Sequence, residues 1–246
     1  MGLLGTGAIL MWSKARGRIF HNHWHSHEHL VERISIPGFL RGRRCVAPES
    51  AAVDHFILYE LADVGVTVSA PYLERLNNPT PWTRRVMLKE SQYLSRTLCR
   101  VAASRGIGVG AHVLTVRLAP TDAGGGALWD WLVGEALAEI SQMPGMTGAH
   151  LLQRAEEIDR PTTEEERGRG RSDDMADWIV MAEGYDPLVV GRLADGPLSP
   201  SSLRSHGAKE GAAVELFGLA HLIVKPDVAG CMHQETPAVG SGVRPQ

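Results

Sequence analysis

A chain of 246 residues, 43% hydrophobic and 22% charged, can bury a substantial core as one large domain or two small ones. Its formal net charge of −3, with arginines dispersed along the chain, gives no electrostatic basis for a nucleic-acid or anionic-membrane partner. Three widely spaced cysteines, Cys45, Cys99 and Cys231, leave an odd one, which argues against a disulfide framework or a cysteine zinc site and fits the cytoplasm.

The opening "MGLLGTGAILMW" lacks a basic leader and meets Lys14 too soon to span a bilayer, so residues 6–13 read as a first strand. A helix follows over 17–34, then a Pro-Gly turn and a strand within 37–47. The apolar run "HFILYEL" (55–61) reads as a buried strand, "APYLERLN" as a short helix and "RTLCRVAAS" (96–104) as a fourth strand. Between the last two, "LNNPTPWTRR" (76–85) reads as a loop able to cover a cleft. The order then recurs: strand 110–118, helix 127–142, turn and strand 144–155, strand 177–184, a short helix at "PLVVGRLAD" and strand 212–224. The insert at 159–174 has no apolar periodicity and is expected to be a mobile loop, and residues 225–246 a disordered tail.

Two correspondences make the recurrence specific. "IPGFLRGRR" follows the first long helix as "MPGMTGAHL" follows the second, and "HFILYEL" precedes a short helix as "DWIVMAE" does. Each pass is β-α-β-β-α-β, so residues 6–104 and 110–224 are expected to form two ferredoxin-like units. The strands are apolar on both faces, so each antiparallel sheet needs helices on one face and the other sheet on its second. The predicted class is α+β: two tandem ferredoxin-like units forming an α+β barrel with antiparallel sheets, and a cavity between sheet and helices.

This architecture, with "FHNHWHSHEHLVERISIPGFLRGRR" followed by "HFILYEL", resembles the dimeric α/β-barrel superfamily, most closely its EthD-like members. Those carry an aromatic and a histidine on the first helix, ahead of a Pro-Gly turn into the second strand. The likeness spans 6–224 in element order and is concentrated in 20–61. The resemblance implies a small-molecule ligand and a barrel that one chain supplies where two usually combine, with a homodimer left open. It does not imply one reaction, since the superfamily includes polyketide cyclases, lactone isomerases, cofactor-free monooxygenases and haem enzymes.

Residues 21–29, "HNHWHSHEH", hold five of the eleven histidines. On a helical wheel Phe20, Trp24, Val31 and Ile34 form an apolar stripe, with Glu28 and His25 along one edge and His29 further round. His25 and Glu28 stand at i and i+3, and His25 and His29 at i and i+4, so their side chains can touch. A carboxylate beside an imidazole favours its charged form and orients it, which suits proton transfer near neutral pH, and Trp24 would wall a flat substrate. The alternatives are a solvated helix face, or a metal site, since His25-Ser-His-Glu28-His29 fits H-x-x-E-H. That metal chemistry needs a third ligand on a second helix, for which the chain offers no recognisable partner; no metal is expected.

The remaining candidates are Tyr59, placed with His55 on one face of its strand to donate to a substrate oxygen, and the second-strand arginines Arg41, Arg43 and Arg44, one of which could hold a carboxylate or enolate. Asn77 and Trp82 are candidate ligand contacts from the loop. "GIGVG" (106–110) lacks the spacing of a dinucleotide fingerprint. The leading expectation is a cofactor-independent lyase, isomerase or cyclase acting on a small aromatic or polyketide-like carbonyl compound. In it His25 is general acid or base, Glu28 its orienting partner, His29 a further catalytic imidazole, and Tyr59 or Arg43 the oxyanion stabiliser. The competing readings are a haem-dependent oxidative enzyme, with His112, His150, His206 or His221 as axial ligand, and a non-catalytic accessory protein binding a hydrophobic small molecule.

Overall fold

The computed structural model describes residues 2–49, 51–89, 91–155, 162–169 and 175–229. Strand β1 (Gly7–Ala15) leads into one continuous helix, α1, which is α-helical over Arg18–Trp24, π-helical over His25–His29 and α-helical again over Leu30–Ser35. Strands β2 (Phe39–Val46) and β3 (His55–Leu61), helices α2 (Ala70–Asn77) and α3 (Pro81–Lys89) and strand β4 (Ser91–Gly106) complete the first pass. The second comprises β5 (His112–Leu118), a long helix α4, β6 (Met146–Arg154), α5 (Glu164–Arg169), β7 (Trp178–Gly184), α6 (Pro187–Arg192), α7 (Pro200–Ser205) and β8 (Ala213–Val224). Helix α4 repeats the construction of α1, with α-helix at Gly125–Trp131, a π-helical turn at Leu132–Ala136 and α-helix at Leu137–Gln142.

The eight strands close into one antiparallel barrel in the order β1-β3-β2-β8-β5-β7-β6-β4. The α+β barrel expected from the sequence is therefore present, with one refinement. The two four-stranded sheets do not merely face each other; β2 pairs with β8 and β4 with β6, so no edge is left open. Strand alternation divides the side chains into three layers. Ala8, Leu10, Trp12, Phe56, Leu58, Met181 and Phe217 fill the barrel interior. Ile9, Met11, Ile57 and Tyr59 point outward beneath Leu30 and Ile34 of α1. Leu114, Val116, Val180 and Ala182 point outward beneath Leu128, Leu132 and Leu137 of α4. Rings of Trp12 and Phe56, with centroids 5.1 Å apart, plug the interior, so the barrel lumen is core and the space for a ligand lies outside it.

The recurrent Pro-Gly has a backbone cause. Gly38 and Gly145, just beyond the two long helices, adopt φ of +88° and +101°, where a Cβ would meet Val66 and Val189 respectively.

Several elements differ from expectation. The expected loop at 76–85 is helical from Pro81: Thr80 Oγ1 accepts from the Thr83 amide at 3.0 Å, and Pro81 occupies the first turn. Pro200–Ser205, preceded by the capping Ser199, is a second helix of that kind. Part of the insert at 159–174 is ordered. Thr163 and Glu166 form a reciprocal cap, with the Thr163 amide donating to Glu166 Oε2 at 2.9 Å and the Glu166 amide to Thr163 Oγ1 at 3.4 Å. Nor is the region after Val224 wholly a tail. Lys225–Val228 forms a short helix, α8, and Lys225 Nζ donates to the carbonyls of Ile34, Ser35 and Ile36 at 2.7–2.8 Å, closing the C-terminus of α1. Residues 156–161, 170–174 and 230–246, including Cys231, lie outside the described residues. Among those described, no helix is long and apolar enough to cross a membrane.

Candidate active site

The π-turn decides what α1 presents to the sheet. An ideal α-helix advances 40° for each i+4 step, so His21, His25, His29 and Arg33 would drift off one face. The wider turn at His25–His29 absorbs that drift, and all four side chains are buried. The wheel placed His25 and His29 at or beyond an apolar edge; the structure puts them under the helix. In α4, offset by 107 residues from one π-turn start to the other, the buried positions are Leu128, Leu132, Ala136 and Ile140. The same scaffold thus carries an aliphatic layer in the second pass and a polar one in the first.

That polar layer is connected. His25 Nε2 lies 3.3 Å from Tyr59 Oη, and its Nδ1 faces Arg44 Nη1 at 3.4 Å. Arg44 also donates from Nη1 to Ser26 Oγ and the Asn22 carbonyl, both at 2.9 Å. His55 Nε2 pairs with Asn22 Oδ1 at 2.9 Å, and its ring stacks on His21 with centroids 4.4 Å apart. Burial, reinforced by neighbouring imidazoles and Arg44, pushes His25 well below its ordinary pKa; burial and Arg44 bring His21 to about 4, and burial with His21 brings His55 to about 3. These histidines are therefore neutral at pH 7. Arginine only donates, so His25 Nδ1 is the acceptor and Nε2–H donates to the Tyr59 hydroxyl oxygen.

Beside this layer lies a small cavity between α1, the outer face of the sheet, and α2, α3 and α5, walled by His29, Arg33, Tyr59, Tyr72, Met87 and Glu165 among others. Its free volume of about 20 Å³ holds about one water. Arg96 reaches it and donates from Nη2 to Tyr72 Oη at 3.3 Å. Arg33 and Glu165 close one side through a buried ion pair with contacts of 2.6 and 2.5 Å.

Of the expected site residues, His25, His29 and Tyr59 come together here, with Tyr59 and His29 on the wall and His25 behind Tyr59. Glu28 does not orient His25. Its Oε1 accepts from Trp24 Nε1, Thr80 Oγ1 and Thr83 Oγ1 at 3.2, 2.6 and 3.0 Å, because it projects from the opposite flank of the π-turn toward α3. Trp24 is fully buried against His29, ring centroids 4.4 Å apart, and is a packing residue behind the cavity wall. Arg43 is misplaced by expectation: strand alternation sends it into the barrel interior, where it pairs with Glu183 at 2.6 Å and Glu60 at 3.0 Å. Asn77 is exposed at the end of α2, accepting from the Glu164 amide at 3.2 Å, and Trp82 lies on α3 against Phe20 and His23; neither lines the cavity.

Sequence reasoning missed Arg33, Tyr72 and Glu165, and named Arg44 only as one of three β2 arginines able to hold a carboxylate, not as the partner of His25. Arg33 was legible as the next i+4 step after His29. Glu165 sits beside the cap motif Thr163–Glu166 that starts its helix, but nothing local announces a partner 132 residues away. Among the described residues no group of three or more His, Cys, Asp or Glu side chains is disposed to hold a metal ion. The four histidines offered as haem ligands do not line the cavity. His150 lies inside the barrel against Ser104 and Glu183, and His206 stacks on Trp131, so these residues do not fit that group.

No family model matches the chain, and no curated protein matches it. Solved structures do share its fold. An anthrone oxidase-like protein superposes with a TM-score of 0.59 at 13% identity, covering 89% of this chain and 92% of that one. A candidate monooxygenase from Fusobacterium nucleatum gives 0.57 at 9% identity, covering 91% and 96%. A candidate chlorite dismutase gives 0.54 at 10% identity, covering 93% and 99%. The likeness is one of fold, a ferredoxin-like α+β barrel.

Proposed function

We propose that the cavity beneath α1 performs acid–base chemistry on a small aromatic or polyketide-like carbonyl compound, as in a cofactor-independent lyase, isomerase or cyclase. The observation that carries this reading is the Tyr59–His25–Arg44 relay. Arg44 fixes the tautomer of a neutral imidazole, the imidazole holds the Tyr59 oxygen, and the Tyr59 proton is aimed at a substrate oxygen. His29, on the same wall, is the base that removes a proton from the carbon next to the carbonyl. His25 is a positioning residue, Trp24 packs behind His29, and Arg43 and Glu28 serve structure. Asn77 bears on the site only by tying α2 to α5.

Residues 6–104 and 110–224 are read as two ferredoxin-like units, the first carrying the site, and the helix and Pro-Gly motif support a kinship with EthD-like proteins. Any homodimer must use a face other than the barrel edges, which pair within the chain. Free, buried Cys45 and Cys99 fit a cytoplasmic protein.

A second reading has a specific motive. The anthrone oxidase-like and monooxygenase neighbours share this fold, and an enolate formed by His29 and Tyr59 can either be reprotonated or pass electrons to dioxygen. One experiment separates these outcomes. Anthrone-type and polyketide-like ketones are incubated in D₂O, following deuterium incorporation by NMR and oxygen uptake with an electrode. Exchange without oxygen uptake is expected for the lyase or isomerase reading; uptake supports the oxidative one. The reading fails if wild type and Tyr59→Phe are equally inert, or equally active, toward every compound.

A further inference from the structure

Arg33 and Glu165 are both buried, and the matching layer of the second pass carries no such pair. The position of Arg33 in the second long helix is Ile140, fully buried beneath an equivalent sheet. Putting a guanidinium there sacrifices aliphatic core for a charge that must be paired. Its partner is not supplied by the surrounding strands or helices of the first pass. It comes from the connection between β6 and β7, residues 155–177, which is far longer than residues 47–54 linking β2 to β3. Glu165 enters on the first turn of the six-residue helix α5, and both its oxygens contact one nitrogen, Arg33 Nη2. The other terminal nitrogen, Nη1, is buried and has no hydrogen-bond partner among the described residues. An arginine fork lining the cavity, with one terminal nitrogen taken by a carboxylate from the β6–β7 connection, is an incompletely used anion site.

We propose that Arg33 is the anchor for a substrate carboxylate, and that Glu165 is an internal stand-in for it, displaced when ligand binds. The proposal rests on the cavity being the site assigned above and deepens it: the compound is an aromatic or polyketide-like keto acid. Its carboxylate takes both terminal nitrogens of Arg33. Its apolar body lies against Phe39, Tyr72 and Met87, and its carbonyl faces Tyr59 and His29. Moving Glu165 out also enlarges a cavity that holds about one water as it stands.

Binding tests this without any turnover, so its failure is distinct from failure of the catalytic reading. Benzoate and its uncharged isostere benzamide are titrated by calorimetry into wild type, Glu165→Gln and Arg33→Met in low-chloride buffer. Removing an intramolecular competitor should tighten benzoate binding by about tenfold or more in Glu165→Gln, with benzamide unchanged. Arg33→Met should lose the preference for the carboxylate. Benzoate should also raise the Tm of Glu165→Gln more than that of wild type, and should restore folding if that variant is unfolded alone. The proposal is overturned if Glu165→Gln binds benzoate no better than wild type, if benzoate and benzamide bind it alike, or if an unfolded Glu165→Gln is not rescued by benzoate.

Discussion

Tyr59 and the histidines behind it do different work from Glu28, although all sit within one short stretch of α1 and the strand beneath it. Tyr59→Phe removes the hydroxyl at the cavity wall and leaves the buried His25 Nε2–H without its acceptor; kcat should fall by roughly 10²–10³, at a stability cost of roughly 1–3 kcal/mol. Trp24→Ala instead opens a hole behind His29 and strips Glu28 of a donor; it should cost roughly 3–5 kcal/mol, read from urea denaturation. The buried imidazoles also set a pH dependence. His21 and His55 have folded pKa values depressed to about 4 and about 3 from 6.5, so the unfolded chain binds more protons between those limits. Stability is fully present above pH 6.5 and is lost as pH falls toward 4, by up to about 1.4 kcal/mol per pH unit for each histidine. Replacing His21 by leucine, the residue at the matching position Leu128, should flatten that slope. An unchanged slope would mean that His21 is not among the titrating groups.

At the scale of the element, α1 depends on its π-turn and on two clamps. Lys225 closes its C-terminus across three carbonyls, and Glu28 gathers Trp24, Thr80 and Thr83 to dock α3 beside it. Glu28→Ala leaves the Thr80 and Thr83 hydroxyls without their acceptor, while Trp24 Nε1 keeps Thr83 Oγ1 at 3.1 Å; it should cost roughly 1–3 kcal/mol and loosen α3, a wall of the cavity. Hydrogen exchange should show faster opening of Pro81–Lys89 while the strands stay protected. If α3 exchanges as slowly as in wild type, Glu28 is not the tether.

For the whole molecule, closure of the barrel makes two passes of the chain one cooperative body. The β2–β8 and β4–β6 ladders join them, and inside the lumen Arg43 joins Glu60 of the first pass to Glu183 of the second, with His150 beside Glu183. Although burial opposes it, Arg43 and His150 hold the Glu183 carboxyl at about 2. Calorimetry should therefore show a single unfolding transition. Arg43→Met, which leaves buried Glu183 without its arginine while Glu60 keeps Arg41 at 2.8 Å, should cost roughly 3–5 kcal/mol without touching the cavity. Two separate transitions would show that the halves fold independently.

Periodicity and turn chemistry are local, and they determined most of the framework. Apolar strands, two long helices and the Pro-Gly turns were legible because burial and positive φ constrain the residues that display them. The capped starts at Thr80-Pro81, Thr163 and Ser199-Pro200 were equally local and could have been read. Within the site, Tyr59 and the His25–His29 spacing were visible, but their roles were not. Whether an arginine on β2 meets the helix or the lumen turns on strand phase, so Arg44 joined His25 while Arg43 crossed to Glu183. Whether Glu28 or Arg33 faces the cavity turns on one wide helical turn, which a wheel of constant pitch cannot register. The pairing of Arg33 with Glu165 depends on a loop returning from the other half of the barrel. Only the closed tertiary structure sets that distance, because nothing in the neighbourhood of either residue specifies it.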